Sequence, residues 1–134
     1  MEIQPYLFFD GRCDEAIAFY RQALGAQQVM LMRFKDCPEP GMAPPGSEDK
    51  VMHARLQVGD ATLLLSDGRA TGQPNFQGFA LSVLAPDVAT AEQRFAALSE
   101  GGEVRMPLGK TFFSPAFGMV ADRFGVTWMV YVGS

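Results

Sequence analysis

The sequence is poor in the residues from which compact metal and redox sites are usually built. It contains one histidine, His53, and two cysteines, Cys13 and Cys37. Two isolated cysteines do not make a disulfide framework or a zinc finger, and one histidine cannot supply a multi-histidine metal site. The spaced motifs of P-loops, zinc proteases and dinucleotide-binding turns are also absent. These shortages exclude several large classes of enzyme.

Positive charge and long hydrophobic runs are scarce as well. Among 134 residues, 11 lysines and arginines stand against 15 acids, which gives a net charge of −4 at pH 7. Because nucleic-acid-binding proteins normally present a basic surface, we expect no nucleic-acid partner. No apolar run reaches the roughly 18 to 20 residues of a membrane-spanning helix, so we expect no membrane partner. No secretory leader follows Met1, and we therefore expect a cytoplasmic protein.

The sequence predicts two halves with the same order of strands and helix. In the first half, the apolar spacing predicts a strand, a helix, a strand and a hairpin at 3–9, 13–24, 28–34 and 51–66. In the second half, the same signals recur at 78–85, 88–98, 103–113 and 116–132. Each half therefore has the order strand–helix–strand–strand–strand, or βαβββ.

This duplication predicts a single α+β domain over residues 1–134. The first βαβββ module covers residues 1–70 and the second covers 76–134, with a short linker at 71–75. A loop rich in proline, glycine and acids at 36–50 makes the first module the longer one.

The hairpin at 51–66 places apolar and polar residues on opposite faces. Its two-residue turn predicts cross-strand pairs on the apolar face: Val58 with Ala61, Leu56 with Leu63, and Ala54 with Leu65. The other face carries Arg55 and brings His53 opposite Ser66. We expect the apolar face to pack on a helix and the polar face to line a wet pocket.

The first and last predicted strands are apolar on both faces. Such strands are typical of sheets that are covered on both sides. We therefore expect one side to lie under a helix and the other to face an enclosed concave surface. Phe79 and Trp128 are both expected in the core.

The chain resembles the vicinal oxygen chelate superfamily, the glyoxalase/bleomycin resistance protein/dioxygenase fold. The residues that carry the resemblance lie at 5–26, 53–67, 78–83 and 116–132. Within that superfamily the PhnB-like branch is more similar, because its members show His-Ala near the start of a hairpin and the pattern F-G-x-V-x-D-x-F-G-V-x-W. His53-Ala54 and the run from Phe117 to Trp128 match these two motifs. The resemblance implies a curved, partly open mixed sheet around a central cavity, and a homodimer.

The resemblance also implies where a metal would bind. Metal-dependent members hold their ion with His or Gln on the first strand, Glu on the fourth, His on the fifth and Glu on the eighth. The matching positions in this chain are Gln4, Leu64 to Ser66, Gly78 and Met129. Only Gln4 keeps a family ligand, and a divalent cation needs several donors. We therefore expect no metal and no other cofactor.

The resulting functional hypothesis is a metal-independent enzyme, a lyase, isomerase or transferase, that acts on a small polar organic molecule. His53 is the candidate base, since histidine is the residue type whose unperturbed side chain changes charge nearest to neutral pH. A purely structural histidine remains an alternative, and Arg55 could hold either an anionic group or an acid of the 36–50 loop. The candidate substrate-binding residues are Gln4, Tyr6, Arg55, Ser66, Met129 and Tyr131.

Two other interpretations remain open. One is a binding or drug-sequestration protein of the bleomycin-resistance type, with an aromatic-lined cleft and no chemistry. The other is an oligomeric protein whose cavity is filled by its own side chains. Some PhnB-like sequences also carry the label 3-demethylubiquinone-9 3-methyltransferase, but this chain has no glycine-rich strand-to-helix turn of the kind that holds a methyl donor.

Overall fold

The computed structural model describes residues 1–37, 45–68 and 74–133. The chain divides into two compact units, Met1–Pro74 and Asn75–Ser134. Each unit combines one α-helix of three turns with a four-stranded mixed sheet, which confirms the expected α+β class. Residues 38–44 of the loop predicted at 36–50 and residues 71–73 of the linker predicted at 71–75 lie outside the described residues.

The first unit has the predicted order of elements. Its bounds are β1 (Tyr6–Phe8), α1 (Cys13–Leu24), β2 (Gln27–Arg33), a 3-10 turn (Phe34–Asp36), β3 (Val51–Val58) and β4 (Ala61–Ser66). The strands lie in the order β1-β4-β3-β2. The outer strand β1 runs parallel to β4, and the other neighbours are antiparallel.

The second unit repeats this arrangement. Its bounds are β5 (Leu81–Ala85), α2 (Val88–Ser99), β6 (Glu103–Gly109), β7 (Phe117–Ala121) and β8 (Thr127–Val132). The strand order β5-β8-β7-β6 matches that of the first unit, with β5 parallel to β8. In the described part of the chain, no helix has the length and apolar character needed to cross a bilayer.

The helix ends follow from local chemistry. Helix α1 carries Asp14 and Glu15 in its first turn, where acids complement the helix dipole. It ends at Gly25, whose φ of 67° is a left-handed conformation that glycine adopts without a Cβ clash. Helix α2 begins after Asp87, whose carboxylate accepts the Thr90 backbone N–H at 2.7 Å. This confirms the predicted cap, and the hydrogen bond lowers the pKa of the Asp87 carboxyl.

The register of the β3–β4 hairpin is also as predicted. Ala54 pairs with Leu65, Leu56 with Leu63, and Val58 with Ala61. On this face Ala54, Leu56 and Leu65 have no exposed surface. The buried face of α1 packs in the same core, since Tyr20 of the helix lies against Phe9 after β1, with ring centroids 6.1 Å apart. The hairpin therefore presents its polar face away from this core.

Two expectations about burial are wrong. In β1, Leu7 is buried, but Tyr6 and Phe8 on the opposite face are 38% and 51% exposed. Helix α1 covers only one side of the first sheet. The opposite face of β1 therefore stays exposed, although its side chains are also apolar or aromatic. Phe79 is 45% exposed because it precedes β5, whereas Trp128 is 3% exposed and lies in the core as predicted. In β8 the second face, with Met129 and Tyr131, is half-buried.

Candidate functional site

A tyrosine and the lone histidine form a hydrogen-bonded pair on the open face of the first sheet. The Tyr6 hydroxyl lies 2.7 Å from Nδ1 of His53, and the two ring centroids are 5.5 Å apart. Tyr6 belongs to β1 and His53 to β3, with β4 between them. Residues separated by 47 positions in sequence therefore meet because the strand order brings them to one face.

Ser66 of β4 is associated with this pair, since its side chain acts to lower the pKa of the Tyr6 phenol. The Ser66 hydroxyl also accepts the Gly68 backbone N–H at 2.9 Å and donates to the Val51 carbonyl at 3.4 Å. Because Ser66 is only 3% exposed and bonded to the backbone, it is a fixed part of the site and not an open nucleophile. We call Tyr6, His53 and Ser66 the Tyr–His–Ser cluster.

The environment keeps the Tyr6 phenol protonated. Partial burial raises its pKa above the usual 10.0, and the Ser66 side chain opposes this only in part. At neutral pH the phenol is therefore a hydroxyl that can donate a hydrogen bond as well as accept one. When Nδ1–H of His53 donates to Tyr6, the opposite ring nitrogen, Nε2, is left as an acceptor. The cluster can thus present one basic nitrogen and one hydroxyl hydrogen to a ligand.

Arg55 lies on the same face as the cluster. It is exposed, and it sits two residues beyond His53 along β3. Leu64 pairs with Tyr6 on one side and with Arg55 on the other, so an apolar side chain lies between the phenol and the guanidinium. The Phe8 ring stacks on Tyr6 with centroids 4.9 Å apart and an angle of 19° between planes. The face therefore combines charged, polar and aromatic groups.

The other predicted binding residues lie outside the cluster. Gln4 is exposed, precedes β1, and donates to the Glu2 carboxylate at 3.2 Å. Met129 and Tyr131 belong to β8 of the second unit, where the Met129 sulfur accepts from the Ser82 hydroxyl at 3.9 Å. Gln4, Met129 and Tyr131 stay predictions as substrate contacts. His53 and Ser66 also differ in detail from expectation, since the last paired residues of the ladder are Ala54 and Leu65.

Comparison with known proteins gives the family. A model described as the Glyoxalase/Bleomycin resistance protein/Dioxygenase superfamily matches residues 2–130. The chain belongs to this superfamily. Protein YjdN of Escherichia coli K12 is 31% identical to it over 140 residues, which cover 98% of this chain and 95% of YjdN.

Solved structures of similar proteins agree with that assignment. Protein PA1353 from Pseudomonas aeruginosa is 45% identical, with a TM-score of 0.87 over 99% of this chain and 98% of its own. A PhnB protein from Bacillus cereus, described as a candidate 3-demethylubiquinone-9 3-methyltransferase, is 27% identical, with a TM-score of 0.82 over 99% and 100% of the two chains. The predicted superfamily and its PhnB-like neighbours are therefore confirmed.

The metal positions implied by the superfamily hold side chains that do not suit a hard divalent cation. The Ser66 hydroxyl is bonded to its own backbone, Gly78 has no side chain, and Met129 offers a thioether. Across residues 1–37, 45–68 and 74–133, no three His, Cys, Asp or Glu side chains group as metal ligands would. The donor set therefore does not fit the superfamily metal.

Asp67, the carboxylate next to the fourth-strand position, uses both of its oxygens in hydrogen bonds within the protein. It is fully buried, and it accepts the backbone N–H groups of Gly11 and Cys13 at 2.8 Å and of Val51 at 2.7 Å. These bonds join the start of α1 to the start of β3. Asp67 therefore positions the backbone beneath the Tyr–His–Ser cluster and has no oxygen directed at a ligand. Burial, with the nearby Asp67 charge, also raises the pKa of the Cys13 thiol, which is consequently unreactive.

A second buried carboxylate explains the C-terminal motif of the PhnB-like branch. Asp122 is 3% exposed and accepts from the backbone of Phe124 at 2.9 Å and of Val126 at 3.0 Å. Its other oxygen accepts the Trp128 indole N–H at 2.8 Å. The spacing Asp-x-Phe-Gly-Val-x-Trp thus encodes the β7–β8 turn and its tryptophan anchor. The motif therefore has a structural role in this turn.

A separate groove lies within the second unit. Its volume is about 390 Å³, and its lining includes Val88, Glu92, Phe95, Leu108 and Pro115. None of the predicted site residues lines it. The groove is mostly apolar, whereas the predicted polar chemistry lies on the first unit.

Proposed function

We propose that the protein is an enzyme that transfers a proton on a small polar organic molecule, with His53 as the base and Tyr6 as its hydrogen-bonding partner. The observation that carries this proposal is the 2.7 Å contact between the Tyr6 hydroxyl and Nδ1 of His53 on an open face. The chain uses its one histidine there. The reaction class is that of a lyase, isomerase or transferase that needs no metal ion.

The proton transfer uses both ends of the imidazole. With Nδ1–H donated to the Tyr6 oxygen, Nε2 removes a proton from the substrate. The resulting imidazolium is stabilised by the same Tyr6 oxygen, because a hydrogen bond from a charged donor is stronger than one from a neutral donor. The Tyr6 hydroxyl hydrogen can then bond a substrate oxygen on which negative charge develops. A positioned base of this kind typically contributes about 10²- to 10⁴-fold in rate.

The experiment is an activity profile of the full chain. Purified protein is incubated with a small-molecule extract, and mass spectrometry follows which compounds disappear and which appear. We expect one substrate and product pair that depends on the wild-type protein and is lost with His53→Ala. Gln22→Ala, an exposed change on α1, is the control and should convert the same compound. Equal conversion by His53→Ala would refute the proposal.

A second candidate function is binding without chemistry. The half-buried face of β7 and β8 carries Phe117, Met119, Met129 and Tyr131. Aromatic and thioether side chains are common in apolar binding sites, which favours this alternative. In the activity profile, a binding protein would retain a compound and return it unchanged, with no product in either the wild type or His53→Ala.

We also propose that the protein is a cytoplasmic homodimer. Several large apolar side chains are exposed on the single chain, among them Phe112, which is fully exposed, and Leu84, which is 62% exposed. Apolar side chains exposed in this way are commonly covered in an interface. Light scattering should give twice the 14.6 kDa mass of one chain. A mass of one chain at micromolar concentration would contradict the dimer.

A further inference from the structure

The open face of the first sheet differs in charge from the rest of the chain. The protein as a whole has 15 acids and 11 bases. On this face, the strand residues that share a side with His53 and Arg55 carry hydroxyl, amide, thioether, aromatic and aliphatic groups. None of these strand residues is an acid. The face is therefore cationic on an acidic protein.

Arg55 is the source of that charge, and no described acid is paired with it. Two other arginines in the first unit are bound to carboxylates: Arg12 pairs with Glu15 at 2.8 Å, and Arg33 with Asp14 at 2.9 Å. The Arg55 side chain has no hydrogen bond or ion pair within the described ranges, although it lies on the same strand face as His53. An exposed guanidinium without a carboxylate partner is suited to bidentate binding of an anion.

The acids that follow β2 do not supply the missing partner. Asp49 pairs with Lys35 at 2.9 Å, and the Asp36 carboxylate accepts the backbone N–H of Arg33 at 3.1 Å. Each of these acids therefore has its own contact elsewhere. Glu48, the third described acid of the predicted 36–50 loop, forms no ion pair with Arg55 either, and Glu39 lies outside the described residues.

The strand geometry sets the size of a ligand that would use both groups. Residues two apart on a strand are about 6.4 to 6.8 Å apart, so that distance separates His53 from Arg55 along β3. Leu64 provides an apolar floor between Arg55 and Tyr6. A ligand that contacts both groups would place its anionic group roughly four or five bonds from the atom that loses a proton.

We propose that the substrate is a small organic anion whose carboxylate or phosphate group binds Arg55 while its reactive carbon or oxygen lies against Tyr6 and His53. This inference rests on the proposed function of the Tyr6–His53 pair and adds the chemical class of its substrate. Carboxylate and phosphate each offer two oxygens that a guanidinium can bind bidentately. The experiment distinguishes the two.

The test is an NMR titration of the full-length ¹⁵N-labelled protein with two probes, inorganic phosphate and acetate, at constant ionic strength set with chloride. The single histidine makes its ring signals unambiguous. We expect saturable shifts of the Arg55 side-chain and His53 ring signals, with the probe of tighter affinity giving the anion class. Arg55→Gln should weaken binding at least about tenfold, and Arg55→Lys should retain part of it.

The matched control is Arg21→Gln, which removes an exposed guanidinium of α1 and the same unit of charge. It should bind the probes as the wild type does. Equal probe affinity in Arg55→Gln and the wild type, or shifts no larger than those from chloride, would overturn the anion site. His53→Ala should still bind the probes. Anion binding with unchanged conversion by His53→Ala would instead refute the proposed function and leave the anion site standing.

Discussion

Asp67→Asn is expected to destabilise the protein by about 2 to 4 kcal/mol. The carboxylate is fully buried and accepts three backbone N–H groups, those of Gly11, Cys13 and Val51. An asparagine keeps one acceptor oxygen and places an NH₂ group where the other oxygen was. At least one backbone N–H then loses its partner inside the core. Urea unfolding at neutral pH measures the change.

Asp60→Asn is the control for this substitution, because Asp60 is exposed in the turn between β3 and β4. It removes the same charge and should leave the free energy of unfolding within about 0.5 kcal/mol of wild type. If Asp67→Asn unfolds at the same urea concentration as Asp60→Asn, the three hydrogen bonds do not hold the first unit together. The position of His53 would then need another explanation.

Tyr6→Phe is expected to lower kcat on the substrate found by activity profiling by about 10- to 100-fold, with a smaller change in KM. The substitution keeps the ring that stacks on Phe8 at 4.9 Å but removes the hydroxyl that lies 2.7 Å from His53. The imidazole then loses the partner that orients it and stabilises its charged form. Steady-state kinetics on the folded variant measures both constants.

The control for Tyr6→Phe is again Gln22→Ala, whose kcat and KM should match the wild type. Circular dichroism and a thermal unfolding curve confirm that Tyr6→Phe is folded, which is expected because the side chain is 38% exposed. A rise in KM with an unchanged kcat would mean that the hydroxyl only binds the substrate, and the proton-transfer role of the pair would be wrong.

The hairpin and the helices could be predicted from the sequence because they depend on residues close together in the chain. The register of β3 and β4 follows from a two-residue turn, and the start of α2 follows from Asp87. The resemblance added the family, which the matched family model confirms. The burial of Phe79 was predicted wrongly, because alternation in a short apolar run does not say where the strand begins.

The Tyr6–His53 pair could not be predicted from the sequence in the same way, because it depends on the order of the strands in the sheet. Sequence alternation placed His53 beside Arg55 and opposite Ser66, but it did not say that β1 would lie against β4. Only that parallel pairing brings Tyr6 within 2.7 Å of the imidazole. The role of Asp67 was hidden for the same reason, because the backbone N–H groups that it accepts belong to residues distant in sequence. Asp122 accepts only from residues close in sequence, but the residue types alone do not show that its carboxylate is buried.

The most direct test of the proposal that Tyr6 and His53 act as one catalytic unit is a double-mutant cycle on kcat. The four proteins are the wild type, Tyr6→Phe, His53→Ala and the double variant. If Tyr6 and His53 act as one unit, the double variant loses less kcat than the product of the two single losses, because without the ring the hydroxyl keeps only its hydrogen bond to the substrate oxygen. If the two losses multiply instead, the residues act independently and the proposed unit does not exist.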